Sequence, residues 1–116
     1  MAAGIGIDLI EIDRMERALE RQPGLADRLF TDAERDYAAA HARPARHLAA
    51  RFAAKEAVVK ALGLTDGVRL RDIEVVAGKP PSIRLSGRPA DAAAGRDIAI
   101  SLAHSDDYAA AVAILD

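Results

Sequence analysis

Three residues carry the chemistry most readily read from this chain: Asp8, Glu56 and Lys60. Asp8 lies inside an otherwise almost wholly apolar run, GIGIDLIEI, at residues 4–12. A carboxylate in such a strand carries a large desolvation cost unless a cation or several donors compensate it. The plainer alternative is that the strand ends early and Asp8 caps a neighbouring turn. Glu56 and Lys60 belong to RFAAKEAVVKALG, residues 51–63. At about 100° per residue, Leu48, Phe52 and Val59 form one stripe of a helix, with Lys55 and Glu56 on its two margins. Glu56 and Lys60 also stand at i and i+4, the spacing of an ordinary exposed ion pair worth about 0.3 kcal/mol.

Two carboxylates on separate elements can together hold one hard divalent cation. Mg²⁺ takes oxygen ligands, keeps several waters, and commonly uses one or two carboxylates plus a substrate phosphate. Around Glu56, the cations Arg43, Arg46, Arg51, Lys55 and Lys60 give a local excess of four positive charges in a chain whose net charge is −2. That excess suits a polyphosphate beside the metal, or equally a solvated helix face. After Asp13, Arg14, Arg17 and Arg21 fall within about 60° of one another around a helix. Glu16 and Glu20 point away, and Ile12, Met15 and Leu19 form a separate core-facing arc. A basic stripe of this kind fits an acidic macromolecular surface, although charges segregate so by chance as well. His104 shares a strand face with Ile98, Ile100 and Leu102 and by itself reads as a packed or hydrogen-bonded core histidine. His41 and His47, in Ala-rich helical surroundings, attract no assignment. No Gly-rich phosphate loop, G-x-S-x-G elbow or H-E-x-x-H pair occurs.

The elements that must position these residues follow from period and punctuation. The run at 4–12 reads as a buried strand. Asp13, with Glu16 three residues on, predicts a capped helix to about Gln22, ended by Pro23-Gly24. Thr31 and Glu34 predict a capping box for a second helix ending near His41. Pro44 suits the first turn of a longer helix through Leu62, with Gly63 as its C′ residue. Beyond it the period changes to two. Strands are expected at 68–76, 82–85, 98–104 and 108–115, with turns at 78–81 and 105–107 and a short helix between Pro89 and Gly95. A strand, then helices, then mostly strands indicates an α+β fold in which a small antiparallel sheet packs with helices.

The 116 residues bound the chain to a single domain, 1–116. Of its apolar residues 27 are Ala, so the private core is thin and burial between subunits would help. A net charge of −2 and 3% aromatic residues argue against a nucleic-acid binder. The absence of Cys excludes disulfides and thiolate metal sites. The N-terminus has no basic n-region and its apolar run is broken by acidic residues, so neither a signal peptide nor a membrane span is expected, and the default is a soluble cytoplasmic protein.

Taken together, GIGIDLIEIDR at 4–14, RFAAKEAVVKALG at 51–63, DIEV at 72–75, GKP at 78–80 and SLAHSDDYAAA at 101–111 resemble the holo-acyl-carrier-protein synthases. These are the small bacterial type of 4′-phosphopantetheinyl transferase, and the resemblance spans nearly the whole chain in order. It implies transfer of the phosphopantetheine arm of coenzyme A to a serine of apo acyl carrier protein, Mg²⁺ dependence, release of adenosine 3′,5′-bisphosphate, and service to fatty acid biosynthesis in the cytoplasm. On the same resemblance, Asp8 and Glu56 match the metal carboxylates and Lys60 the lysine that neutralises the pyrophosphate. Arg51 and His104 match residues near the nucleotide and its 3′-phosphate. Gly63 falls in the cofactor-binding loop after the helix, and Gly78, Lys79 and Pro80 match the loop beside the adenine. Arg14, Arg17, Arg21 and Arg28 fall where the family presents basic residues to the carrier protein, and a homotrimer with active sites at subunit boundaries is implied. The serine proton could pass to Glu56, to a water on the metal or to a carrier carboxylate. A broad-specificity transferase serving polyketide or peptide synthase carriers, and a non-catalytic oligomeric binding module, are the competing readings. The loop Gly63-Leu64-Thr65-Asp66-Gly67, Ala18 and Ala103 depart from the family's usual residues.

Overall fold

The computed structural model describes residues 4–116. Residues 1–3, the start of the stretch read above as lacking a leader, lie outside it. The organising contact is a strand laid directly on a helix. Strand β1, Gly4–Glu11, crosses helix α4, Pro44–Ala61, and its two glycines make the approach possible. A Cβ at Gly6 would stand 1.9 Å from the Ala57 carbonyl oxygen, and one at Gly4 would stand 2.1 Å from that of Ala61. Only backbone fits there. The alternation of β1 then turns Asp8 to the same helix-facing side as Gly4 and Gly6.

Three antiparallel strands form the main sheet, in the order β1, β5 (Tyr108–Leu115), β4 (Ile98–His104). Asp8 pairs with Ala111 and His104 with Ala109. The face toward α4 carries Ala109, Ala111, Ala113 and Leu115, all buried. Against them α4 presents Ala53, Ala54, Ala57 and Ala61. Small residues on both surfaces let helix and sheet approach closely, which is where much of the alanine goes.

The run at 4–12 is not a strand buried on both faces. Ile5, Ile7 and Leu9 are 71%, 67% and 65% exposed. They join Ile114 and Tyr108 on the outer face of the sheet, where Ile5 pairs with Ile114 and Ile7 with Val112. Ile5, Ile7 and Leu9 thus face outward, and the inward positions are Gly4, Gly6, Asp8 and Ile10, of which only Ile10 is a large apolar residue packed on the core.

The helical layer differs from expectation in detail. Helix α1 spans Ile12–Arg21 with Glu11 at the N-cap, so Asp13 lies in the first turn and caps nothing; the chain leaves β1 straight into the helix. A short helix α2, Leu25–Leu29, follows Gly24 in left-handed conformation and was not anticipated. Helix α3, Asp32–Ala39, begins at the expected capping box of Thr31 and Glu34 and ends two residues before His41. Helix α4 starts with Pro44 at its first turn and is followed by Gly63 at φ +70.

The stretch 68–76 is only partly strand. Leu70–Asp72 forms a 3-10 turn, and β2 is confined to Ile73–Val76, paired with β3, Ser82–Leu85. The turn is held from below by Lys55, whose ammonium donates to the Leu70 and Ile73 carbonyls at 2.9 and 2.7 Å and to Glu34 Oε1 at 2.7 Å. Glu34 also accepts from the backbone N–H groups of Thr31 and Val75. Both side chains are fully buried. Helix α5, Gly87–Ala93, begins two residues before Pro89.

Candidate active site

Asp8 and Lys60 meet across the contact between β1 and α4. The Lys60 ammonium donates to the Ile7 carbonyl at 2.8 Å and lies 3.4 Å from Asp8 Oδ1. The i to i+4 pair expected between Glu56 and Lys60 is not formed, because Lys60 reaches to the strand instead. Glu56, one turn earlier, is half-buried and accepts no hydrogen bond from any described residue. Its carboxyl is pushed up from the ordinary range, first by burial and then by the Asp8 charge, while Lys60 pulls it down. Two carboxylates therefore line one cleft, with a single ammonium against Asp8. A divalent cation there relieves the repulsion, and oxygen donors are what a hard cation takes. Among the described residues no larger group of His, Asp or Glu forms a cation cage, so waters and substrate oxygens would complete the shell.

The carboxylates stand at one end of a cleft of about 380 Å³. Asp8, Glu56 and Arg14 supply its polar end, and Met15, Ala18, Leu25, Leu29 and Phe52 its apolar lining. Helix α1 thus supplies part of the wall, and α2, not anticipated, supplies Leu25 and Leu29. Arg17 and Arg21 project from α1 and are exposed, as is Arg28 on α2. None of these four arginines has an ion-pair partner among the described residues. Arg28 lines a separate hollow with Arg69 and Arg71, so the basic surface runs beyond α1.

The cation cluster read along 43–60 divides in space. Lys55 is not on a margin of its helix but wholly buried on Glu34, and it is unavailable to a phosphate. Burial pushes its ammonium down, the Glu34 charge opposing. Lys60 serves the Asp8 side. Arg51 belongs to another group, its guanidinium 4.0 Å from the centre of the Tyr37 ring. His104 does share the inner face of β4, but it is exposed at the strand end and not packed in the core. Its ring lies 6.1 Å from that of His47, centre to centre. His47, passed over in the sequence, is thus beside two of the expected nucleotide residues. The only available signal was its position four residues before Arg51 on a helix. Gly78, Lys79 and Pro80 are exposed in the turn between β2 and β3, on the second sheet. Gly63 sits just past α4, three residues beyond Lys60.

This fold and site have known counterparts. The model of the 4′-phosphopantetheinyl transferase superfamily matches residues 4–113, and the chain belongs to that superfamily. Within it, the chain is similar over its length to holo-acyl-carrier-protein synthases. One from Frankia alni is 48% identical over 97% of this chain and 96% of its own. Among solved structures, the acyl carrier protein synthase of Mycobacterium tuberculosis superposes with a TM-score of 0.80 at 42% identity, covering 97% of this chain and 96% of that one. The Chronobacterium ammoniagenes ACPS–CoA complex gives 0.87 at 28% identity, covering 99% and 97%.

Proposed function

We propose that this chain transfers the 4′-phosphopantetheine group of coenzyme A to a serine hydroxyl of an apo acyl carrier protein. The serine oxygen forms a bond to the β-phosphorus, the pyrophosphate P–O bond breaks, and adenosine 3′,5′-bisphosphate leaves with the serine proton passing to a base. The observation that carries this reading is that Asp8 and Glu56 line one cleft walled by a basic helix, with the Lys60 ammonium 3.4 Å from Asp8. Asp8 and Glu56 would hold Mg²⁺, which when bound supplies charge neutralisation of the pyrophosphate. Lys60 spends two of its three donors on the Ile7 carbonyl and Asp8. The third is free to take a phosphate oxygen as charge builds on the leaving group. Asp8 holds that ammonium in place, and the strand holds Asp8.

The carrier is read by charge and by apolar contact. Arg14, Arg17 and Arg21 lie along one helix, with Arg28 beyond it, and are without internal carboxylate partners, which suits an acidic helix on the carrier. The cleft lining of Met15, Ala18, Leu25 and Leu29 offers the apolar part of the same surface. Arg51, His104, Gly63 and the Gly78-Lys79-Pro80 turn are assigned to the nucleotide end of coenzyme A. The exposed row of Ile5, Ile7, Leu9, Tyr108 and Ile114 supports the reading that copies of this chain pack there as a homotrimer. Fatty acid biosynthesis in the cytoplasm is the setting we assign. Among the described residues no helix is long and apolar enough to cross a membrane.

Glu56→Gln tests the site. It removes one charge at nearly constant volume, so the variant should fold as wild type and lose Mg²⁺-dependent turnover. Full activity in that variant would overturn the assignment of the carboxylate pair.

A further inference from the structure

Along the N-terminal half of α4, an array of rings and cations surrounds His47. The His41 and His47 rings lie tilted at 39° with centres 4.1 Å apart, and His104 meets His47 edge-on at 6.1 Å. Tyr37 lies 4.5 Å from His41 and 5.7 Å from His47, and carries Arg51 on its face at 4.0 Å. The charged and titratable groups around His47 are thus Tyr37 and His41 from α3 and its end, Arg43 at the N-cap of α4, Arg46 and Arg51 from α4, and His104 from β4. The carboxylates are Asp106, in the turn after β4, which ion-pairs with Arg46 at 3.1 Å and Arg43 at 3.8 Å, and Glu34, which acts on Arg51 through its field. Asp106 is 91% exposed.

This group is short of negative charge and has donors to spare. The Nε–H groups of Arg46 and Arg51 are buried and meet no acceptor, and the Arg51 side chain as a whole is 4% exposed. Unmet buried guanidinium donors are costly, and they point to an oxygen-rich anion. The His47 imidazole, with the His41 ring centre at 4.1 Å and arginines around it, holds a proton more easily when an anion joins the group. Burial, followed by His41, Arg51, His104 and Arg46, pushes the His47 imidazolium down. A compact dianion supplies the compensation. A phosphate monoester carries about two charges near neutral pH, whereas each phosphate of a bridged pyrophosphate is already shared between esters.

We propose that His47 is a specificity-determining residue that takes up a proton when a phosphate monoester binds beside Arg51 and His104, so that preference for 3′-phosphorylated coenzyme A over 3′-dephospho-coenzyme A rises as pH falls. This inference rests on the transferase reading, which places the nucleotide end of coenzyme A at this group. His41 is the neighbouring group whose charge acts most strongly on His47. The phosphate's own second proton, which titrates near pH 6, works in the opposite direction. That contribution is common to wild type and variants and cancels between them.

The test is isothermal titration of wild type and of His47→Phe with coenzyme A and with 3′-dephospho-coenzyme A, from about pH 6 to about pH 8. Phenylalanine keeps a ring in the stack and removes the proton. The ratio of the two affinities in wild type, divided by that in His47→Phe, should rise as pH falls, by up to about tenfold per pH unit, the limit for one linked proton. Titration in two buffers of different ionisation enthalpy should show more proton uptake on binding coenzyme A to wild type than to His47→Phe. A pH-independent quotient overturns the proposal, as does equal weakening of both ligands in the variant, which would mark His47 as structural. Turnover with coenzyme A alongside either of these results leaves the transferase reading standing. A wild-type chain that binds neither ligand overturns both.

Discussion

Gly6→Ala tests the positioning of the site without touching a charged residue. The added Cβ would stand 1.9 Å from the Ala57 carbonyl oxygen and 2.9 Å from the Ala61 backbone nitrogen, where carbon atoms essentially never approach within 3.0 Å. Strand and helix must therefore separate by at least about 1.1 Å at that point. The atoms in the way are backbone, so no side chain can rotate to absorb the change. Overpacking of this kind costs about 1–3 kcal/mol. Asp8 is two residues along the same strand face, and its 3.4 Å contact with Lys60 is already at the long end for an ion pair. A shift of that size separates Asp8 from Lys60 and Glu56, and displacements of about 1 Å in a catalytic array cost on the order of 100-fold in rate. The expected result is a folded protein, with a urea midpoint lowered in proportion to that cost and kcat/KM for carrier modification down about 100-fold. Gly24, where an added Cβ meets nothing within 4 Å but φ is +87, is the control. Gly24→Ala should lose stability through backbone strain and keep far more of its activity. Wild-type activity in a stably folded Gly6→Ala would refute the claim that the strand-on-helix contact sets the site.

Three further outcomes follow from the same structure. Glu34→Gln leaves the buried Lys55 ammonium without its counter-charge, and Lys55→Met leaves the Glu34 carboxylate without its own; each should lower unfolding free energy by about 3–5 kcal/mol, and the double variant by less than the sum. Denaturant melts and the double-mutant cycle check it, and additive losses would contradict the pairing. Ile7→Glu, on the outer sheet face, should leave far-UV circular dichroism unchanged and shift the molecular mass by light scattering from that of the proposed trimer to that of a monomer. Finally, the His47 imidazole has a lowered pKa in the fold, so the unfolded chain binds that proton more readily. Stability should therefore fall as pH drops through about 6.5 toward the folded value, and His47→Phe should lose less over the same interval in urea melts.

The chain announced some of this plainly and concealed the rest for physical reasons. Thr31 with Glu34 and Pro44 with Gly63 are local signals, because caps and helix ends are decided by residues within one turn, and each falls where expected. The G-x-G-x-D pattern carried the resemblance, yet its meaning is tertiary: glycines at 4 and 6 matter because α4 passes over them. Periodicity misread that strand, since apolar Ile5, Ile7 and Leu9 suggested burial within the chain and instead face outward. Lys55 looked like one more surface cation until α3 and the 3-10 turn folded over it. Beyond its spacing to Arg51, His47 carried no readable signal, because its neighbours His41 and His104 come from different elements. Alanine content, read as a thin core, is the condition for helix and sheet to meet closely enough to bring Asp8 to Lys60.

The central claim, that this site moves phosphopantetheine from coenzyme A to a carrier serine, is tested most directly by intact-mass spectrometry of an apo acyl carrier protein incubated with this chain, coenzyme A and Mg²⁺. The carrier should gain one phosphopantetheine mass, and neither a carrier with that serine changed to alanine nor the Glu56→Gln enzyme should yield the gain. A carrier of unchanged mass after incubation with the folded wild-type protein would contradict it.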